Sequence, residues 1–147
     1  MVDVSAKAPS SRRAVARGEV RMKPQTARLI KANRIAKGDV LAVAQVAGVT
    51  AAKRTDEWIP MAHTIPLTAV RLTFDVDDRG GALRIEATAA TVDRTGVEME
   101  ALTAVSAAAL AVYDMCKAVD REMTIERIRL VRKTGGRSGT FRRAGER

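Results

Sequence analysis

The strongest constraint on the fold is a long segment, from Val97 to about Val119, that is rich in Ala, Leu and Met. It contains no Gly or Pro, and its commonest residues have high helix propensity, so the sequence predicts one long helix. A helix that is apolar over most of its surface must be covered on several sides by other elements. The chain is therefore expected to build a layered fold around this helix.

The composition predicts an aliphatic core in a reducing compartment. Hydrophobic residues make up 46% of the chain but aromatic residues only 3%, too few for the stacking platforms of single-stranded nucleic-acid binders. The single Cys116 excludes an intrachain disulfide and a multi-cysteine metal site. The longest uninterrupted apolar stretch, Ala107 to Val112, is far shorter than the roughly 20 residues of a membrane-spanning helix. We expect a cytoplasmic protein with no membrane partner.

The rest of the pattern predicts an antiparallel sheet. Apolar and polar residues alternate from Val70 to Val76, and a turn rich in Asp and Gly leads into a second strand, which together form a hairpin. In chain order the predicted elements are a strand at 14–22, helices at 25–36 and 40–53, an ordered loop at 55–66, strands at 70–76 and 83–92, the long helix, and a strand at 124–131. In this scheme Gly38 ends the first helix and Asp39 is the N-cap of the second.

This order predicts an α+β protein with a ferredoxin-like antiparallel sheet, helices packed on one face, and one extra helix. We expect a single domain over residues 1–147, in which about 1–13 and 135–147 are partly flexible.

The charge is concentrated at the two ends of the chain. The net charge of +9 divides into +8 for residues 1–37, −5 for 38–116 and +6 for 117–147. Two basic ends that approach one another, or another subunit, would form a strongly positive pocket for a polyanion. A nucleotide or a nucleic acid would satisfy this charge equally well.

Both ends of the long helix carry groups capable of chemistry. Asp114 stands among apolar turns, where we expect a buried carboxylate that pairs with Lys117 one turn later. Glu100 points to nearly the same side as Asp114 but lies about 21 Å away along the axis. The simplest arrangement that lets both ends act on one small ligand is two chains packed together, so we expect an intersubunit site.

Three further positions are candidates for contact with a ligand. His63 is the only histidine and lies in the proline-flanked segment IPMAHTIPL, where it either caps a turn or binds substrate. Lys37 and Lys133 adjoin glycines in KGDV and KTGGRSG, and lysines beside exposed backbone amides suit phosphate groups. Each of these signals alone also fits an ordinary surface residue.

The stretches MVDVSAK, KGDV, AGVTAAKRT, TGVEMEALTA, YDMCKAVDR and KTGGRSG occur in this order along nearly the whole chain. Together they resemble the MoaC family of molybdenum-cofactor biosynthesis, the cyclic pyranopterin monophosphate synthases. The resemblance implies a ferredoxin-like fold, a homohexamer built as a trimer of dimers, and active sites at the dimer interface. It also implies that the substrate is 3′,8-cyclo-7,8-dihydroguanosine 5′-triphosphate and that the enzyme is of the lyase type and releases diphosphate.

The resemblance further implies roles for individual residues. The catalytic residues it implies are Asp114, Lys117 and Lys37, the lysines acting as general acid and base while Asp114 sets their protonation. The substrate-binding residues it implies are Met61, Ala62, His63, Glu98, Met99, Glu100, Lys133, Asp3 and Lys7. We expect no cofactor held by the protein, although a magnesium ion could ride on the substrate phosphates.

The chain departs from the family at one loop. Residues 61–64 read Met-Ala-His-Thr where LCHP is usual, so that His63 is kept while the cysteine and the proline are replaced. A catalytically silent paralogue therefore stays open beside the enzyme. The basic ends and the Arg-rich tail leave a nucleic-acid-binding module open as well.

Overall fold

A computed structural model describes residues 1–146 of the chain; the prediction for Arg147, the last residue of the C-terminal segment, lies outside the described residues. The elements in chain order are β1 (Ser10–Arg21), α1 (Pro24–Lys31), α2 (Val40–Ala52), α3 (Thr55–Trp58), β2 (Leu67–Asp77), β3 (Ala82–Asp93), α4 (Glu98–Cys116), β4 (Thr124–Thr134) and β5 (Phe141–Arg142). The predicted order of strands and helices is confirmed, with one short helix, α3, and one short strand, β5, in addition.

The strands form one antiparallel sheet in the order β2-β3-β1-β4-β5. Along β1, Ala14, Ala16 and Val20 are buried while the residues between them are more exposed. This alternation gives the sheet one face that carries the helices and one open face. The α+β fold class predicted from the sequence is confirmed.

Helix α4 lies in the centre of the core, where it contacts β1, β3, β4 and α2. Close approach is possible because glycines face it from both sides. A Cβ on Gly18 of β1 would meet Val105 Cγ1 at 2.6 Å, and a Cβ on Gly48 of α2 would meet the Ala104 carbonyl oxygen at 2.9 Å. Within residues 1–146, α4 is the one helix long and apolar enough to cross a membrane, but 61% of its most apolar window is buried inside the fold, as in the core helix of a globular protein.

One of the predicted helix boundaries is corrected by the structure. Helix α1 ends at Lys31 rather than at residue 36, because the chain turns at Asn33, whose φ is 51°. Gly38 consequently does not end α1. The N-cap of α2 is confirmed, since the Asp39 carboxylate accepts a hydrogen bond from the Ala42 amide at 3.0 Å.

The C-terminal segment folds back onto the sheet. Strand β5 pairs with β4 through Arg132 opposite Arg142, and the Arg143 amide donates to the Val131 carbonyl at 2.8 Å. The Glu146 carboxylate accepts hydrogen bonds from Arg17 at 2.9 Å and from Arg129. The flexibility expected for the two terminal segments stays a prediction.

Candidate active site

The three residues predicted to be catalytic meet at the C-terminal end of α4. The Asp114 carboxylate accepts a hydrogen bond from Lys37 Nζ at 2.8 Å through Oδ2 and one from Lys117 Nζ at 2.7 Å through Oδ1. Lys37 also donates to the Asp114 carbonyl oxygen at 3.0 Å. The turn before α2 carries Lys37, and the end of α4 carries the other two residues. Two ammonium groups are therefore held on one carboxylate.

The electrostatics of this cluster follow from its two hydrogen bonds. The ammonium of Lys117, and then that of Lys37, lowers the pKa of Asp114 to about 2. In return, the hydrogen bond with Asp114 raises the pKa of Lys117 above its ordinary value. Both groups are thus held in their charged forms at neutral pH.

The expected burial of Asp114 is wrong for the single chain. Its side chain is 55% exposed, and those of Lys37 and Lys117 are 46% and 52% exposed. The core side of this last helical turn is taken by Met115 and Cys116, which turns Asp114 outward. The apolar residues that flank Asp114 in the sequence point to other sides of the helix and do not cover its carboxylate.

A basic cavity lies at the opposite end of α4. It has a volume of about 800 Å³ and is lined by residues of the N-terminal segment, the start of α4, the end of β4 and the loop that follows. Its charged lining residues are Lys7, Arg12, Arg94, Lys133, Arg137 and the single acid Glu98. Lys133 Nζ lies 3.4 Å from the Glu98 carboxylate and 2.5 Å from Ser138 Oγ. An excess of four positive charges makes this cavity suited to a polyphosphate.

Glycines shape the wall of the basic cavity next to Lys133. Gly135 and Gly136 have φ values of 95° and 77°, in the left-handed region that side chains rarely adopt. A Cβ at Gly135 would collide with the Ser11 carbonyl oxygen, and one at Gly136 would collide with the Arg12 guanidinium. Gly135 and Gly136 line the cavity themselves, so backbone rather than side-chain atoms form this part of its wall.

A second pocket adjoins the basic cavity and holds the altered histidine loop. It has a volume of about 300 Å³ and shares Thr95, Gly96 and Glu98 with the larger cavity. Its remaining lining residues are Met61, Ala62, His63, Ile65, Met99 and Glu100. The structure thus brings together the binding residues predicted in the histidine loop and at the start of α4.

Hydrogen bonds fix the histidine loop despite the missing proline. His63 Nε2 donates to the Val2 carbonyl at 2.9 Å, and Thr64 Oγ1 donates to the Asp56 carboxylate of α3 at 2.6 Å. The Ala62 amide also donates to the Ile59 carbonyl at 3.0 Å. Thr64, which replaces the usual proline, therefore ties the loop to α3 through its side chain.

Glu100 is the most strongly perturbed acid of the site. It is 3% exposed, and its Oε2 has no hydrogen-bond partner among the described residues. Loss of hydration on burial, with smaller contributions from Glu98 and Asp56, raises the pKa of Glu100 from 4.5 to about 7. The group can therefore stand protonated near neutral pH and donate a hydrogen bond into the pocket.

The remaining predicted residue, Asp3, has a local role in this structure. Its Oδ1 accepts a hydrogen bond from the Ser5 amide at 2.8 Å, which lowers the pKa of Asp3 and closes a turn of the N-terminal segment. Conversely, Arg12, Arg94 and Arg137 line the basic cavity and were missed by the sequence reasoning. The alternation of β1 offered one signal, because it places Arg12 on the opposite face from Arg13.

The two clusters do not meet within one chain. Glu98 and Asp114 are separated by almost the whole of α4, about 24 Å at the rise of a helix. Among residues 1–146, no group of three or more His, Cys, Asp and Glu side chains is placed to hold a metal ion. The charged groups of the site are thus a carboxylate held by two lysines at one end of α4 and a basic cavity at the other.

Comparisons with known proteins place these residues in a family. The model of the MoaC family matches residues 1–136. A cyclic pyranopterin monophosphate synthase from Thermomicrobium roseum is 60% identical over 143 residues, which cover 97% of this chain and 86% of the relative. Proteins of the same name from a Roseiflexus species and from Listeria innocua are 59% and 58% identical over 96% and 97% of this chain and 89% and 88% of their own lengths.

Proposed function

The chain belongs to the MoaC family, and we propose that it carries out the reaction of a cyclic pyranopterin monophosphate synthase. In this reaction 3′,8-cyclo-7,8-dihydroguanosine 5′-triphosphate is rearranged to cyclic pyranopterin monophosphate, and diphosphate is released. The observation that carries the proposal is the cluster in which Lys37 and Lys117 share the Asp114 carboxylate. It provides two proton donors and one charge that holds them together.

The basic cavity supports the choice of a triphosphate substrate. Positive charge is supplied by Lys7, Arg12, Arg94, Lys133 and Arg137, and Gly135 and Gly136 line the same cavity. These groups would hold the triphosphate and neutralise diphosphate as it leaves. The neighbouring pocket with His63, Met99 and Glu100 would then take the ring system.

A composite site between two chains follows from the length of α4. One nucleotide cannot bridge about 24 Å between the basic cavity and Asp114 within one chain. An incompletely buried stripe, made of Met99, Leu102, Ser106 and Leu110, runs along α4 from the pocket toward Asp114. If two such stripes packed antiparallel about a twofold axis, Asp114 of one chain would lie beside Met99 of its mate.

The surface beside this stripe supports such packing. Helix α2 has no charged residue along its whole length, and Val43 and Val46 on its outer side are 45% and 66% exposed. Leu110 on α4 is 52% exposed. An apolar face of this kind is typical of surfaces that another chain covers. A homodimer of this form, repeated three times as a homohexamer, is the assembly we propose.

Covering this surface also changes the chemistry of the lysines. In the single chain Asp114 raises the pKa of Lys117, so this residue is held in its protonated form. Burial under a second subunit would disfavour both ammonium charges, and one of the two lysines would then serve as the base. In this way Lys37 and Lys117 would divide the roles of general acid and general base while the purine ring is opened and rebuilt.

The cellular compartment and the cofactor requirement complete the proposal. We propose a cytoplasmic enzyme of the lyase type that needs no cofactor held by the protein. Magnesium, where present, would be bound to the substrate phosphates, since hard cations prefer oxygen ligands of that kind.

A mixing experiment tests the composite site. Asp114→Asn disables one end of α4 and Lys133→Ala the other, so each variant alone is expected to lose turnover. If the site combines both ends from two chains, subunit exchange between these variants restores about a quarter of the sites. A mixture of Asp114→Asn with Lys117→Ala, which damage the same end, is the matched control and is expected to recover nothing.

The mixing result separates the alternatives. Recovery in the first mixture but not in the control supports both the catalytic roles and the intersubunit geometry. Absence of recovery, in mixtures where mass spectrometry detects hybrid oligomers, would contradict the composite site. Near-normal turnover by Asp114→Asn alone would contradict the catalytic role of that carboxylate.

A further inference from the structure

A row of three arginines crosses the open face of the sheet. In β4, Arg132 lies opposite Val15 of β1 on one side and opposite Arg142 of β5 on the other, so these three side chains share one face. Arg13 lies two residues from Val15 and therefore on the same face. The row Arg13, Arg132 and Arg142 thus spans three adjacent strands.

These like charges stand together without compensation. Direct cross-strand pairing of Arg132 with Arg142 is destabilising, because like charges opposite one another repel. None of the three guanidinium groups forms a hydrogen bond or an ion pair with any residue from 1 to 146. All three residues are exposed. An external anion is the simplest source of the missing countercharge.

The carboxylates nearest to the row are already engaged. Glu146 and Glu86 border the same part of the open face as Arg132 and Arg142. However, Glu146 accepts hydrogen bonds from Arg17 and Arg129, and Glu86 accepts one from Arg17 at 2.7 Å. The row together with Arg17 and Arg129 makes five arginines. Against them stand two carboxylates, those of Glu86 and Glu146, which leaves an excess of three positive charges.

The row borders a cleft that offers hydroxyl donors as well. The cleft has a volume of about 360 Å³ and is lined by Ser11, Arg13, Val15, Arg132 and Thr134. Since neighbouring strands are about 4.8 Å apart, the three strands that carry the row span about 10 Å across the sheet. Forked donors at this spacing, with hydroxyl groups beside them, suit the oxygens of a compact oligophosphate.

This cleft is separate from the basic cavity although both use the same strands. Alternation directs Arg12 and Lys133 to the helix side of the sheet and Arg13 and Arg132 to the open side. We propose that the arginine row is a second anion site that binds a small oligophosphate, for which inorganic diphosphate is the simplest probe, back to back with the basic cavity. Its existence does not depend on the proposed reaction.

Calorimetric titration with inorganic diphosphate tests this site in the full chain. The parent is expected to bind two anions per chain, one in the basic cavity and one at the row. A double variant, Arg13→Gln with Arg142→Gln, is expected to lose the second or to bind it at least tenfold more weakly. The matched control is Arg127→Gln, which removes an exposed arginine from the same open face toward the other end of β4 and should keep both anions.

A third variant identifies which site is which. Lys133→Gln should weaken binding in the basic cavity and leave the row unchanged. Because the double variant removes repulsion between like charges, its melting temperature should equal or exceed that of the parent, which excludes misfolding as the cause of lost binding. The proposal is overturned if the double variant binds diphosphate with the parent's stoichiometry and affinity, or if Arg127→Gln loses as much binding as the double variant.

Discussion

Glu100 provides the sharpest link between the site and the stability of the fold. Its carboxyl group is buried at the start of α4, with Oε2 unpartnered among the described residues, and burial raises its pKa from 4.5 to about 7. The native state therefore holds this proton more tightly than the unfolded chain does. The contribution of Glu100 to the stability of the protein therefore falls as pH rises from about 4.5 to about 7, and the loss is complete above that window.

The size of the effect follows from the two pKa values. For a shift from 4.5 to about 7, linkage gives a loss of about 2.5 kcal/mol in the free energy of unfolding between about pH 5 and pH 8. Glu100→Gln has no proton to lose. Between about pH 5 and pH 8 the parent should therefore lose about 2.5 kcal/mol of stability that this variant keeps, whatever the constant cost of burying an amide.

Urea unfolding at about pH 5 and pH 8, at one fixed protein concentration, measures this difference. Fixed concentration matters because assembly of subunits adds to the apparent stability. Glu57→Gln, whose side chain is 64% exposed, is the matched control and should keep the slope of the parent. Equal slopes for the parent and Glu100→Gln would refute the reasoning, since the carboxyl group would then ionise alike in the folded and unfolded chains.

Two further predictions concern the packing of α2 and the C-terminal segment. Gly48→Ala should lower the free energy of unfolding, measured in urea, by about 1–2 kcal/mol. The added methyl group meets the Ala104 carbonyl oxygen and Leu72, and this overpacking outweighs the gain in helix propensity. An unchanged or higher stability would contradict the close approach of α2 to α4. Glu146→Gln should speed hydrogen exchange of the Arg143 amide about tenfold, because this variant loses the carboxylate that binds Arg17 and Arg129. Unchanged exchange would show that the pairing of β5 with β4 is enough to hold the C-terminal segment on the sheet.

The elements with strong periodicity were predictable from the sequence. Local signals in the sequence agree with the observed structure at three places: α4 lacks Gly and Pro, β2 alternates apolar and polar residues, and Asp39 caps α2. The end of α1 was missed because the helix stop was assigned to Gly38, although Asn33 is of the type that, after glycine, most readily takes a positive φ. The pairing of β5 with β4 was missed because two residues carry no periodic pattern.

The candidate site shows a similar division. Resemblance to the family selected Lys37 with Asp114 and Lys117, and the structure brings the three together at hydrogen-bond distance. The exposure of Asp114 could not be read from its apolar neighbours, because burial depends on which side of the last helical turn faces the sheet. Arg94 was missed because its place in the site depends on a contact between distant parts of the sequence. Its guanidinium donates to the Ser5 carbonyl of the N-terminal segment at 3.0 Å.

The most direct test of the proposed function is to incubate the purified chain with 3′,8-cyclo-7,8-dihydroguanosine 5′-triphosphate and to follow diphosphate release and pterin formation by mass spectrometry. The proposed function predicts that both products form in equal amounts, and that the loop tied by Thr64 to Asp56 supports turnover without the usual proline. Tight binding of the substrate without either product would contradict it and would identify a catalytically silent paralogue.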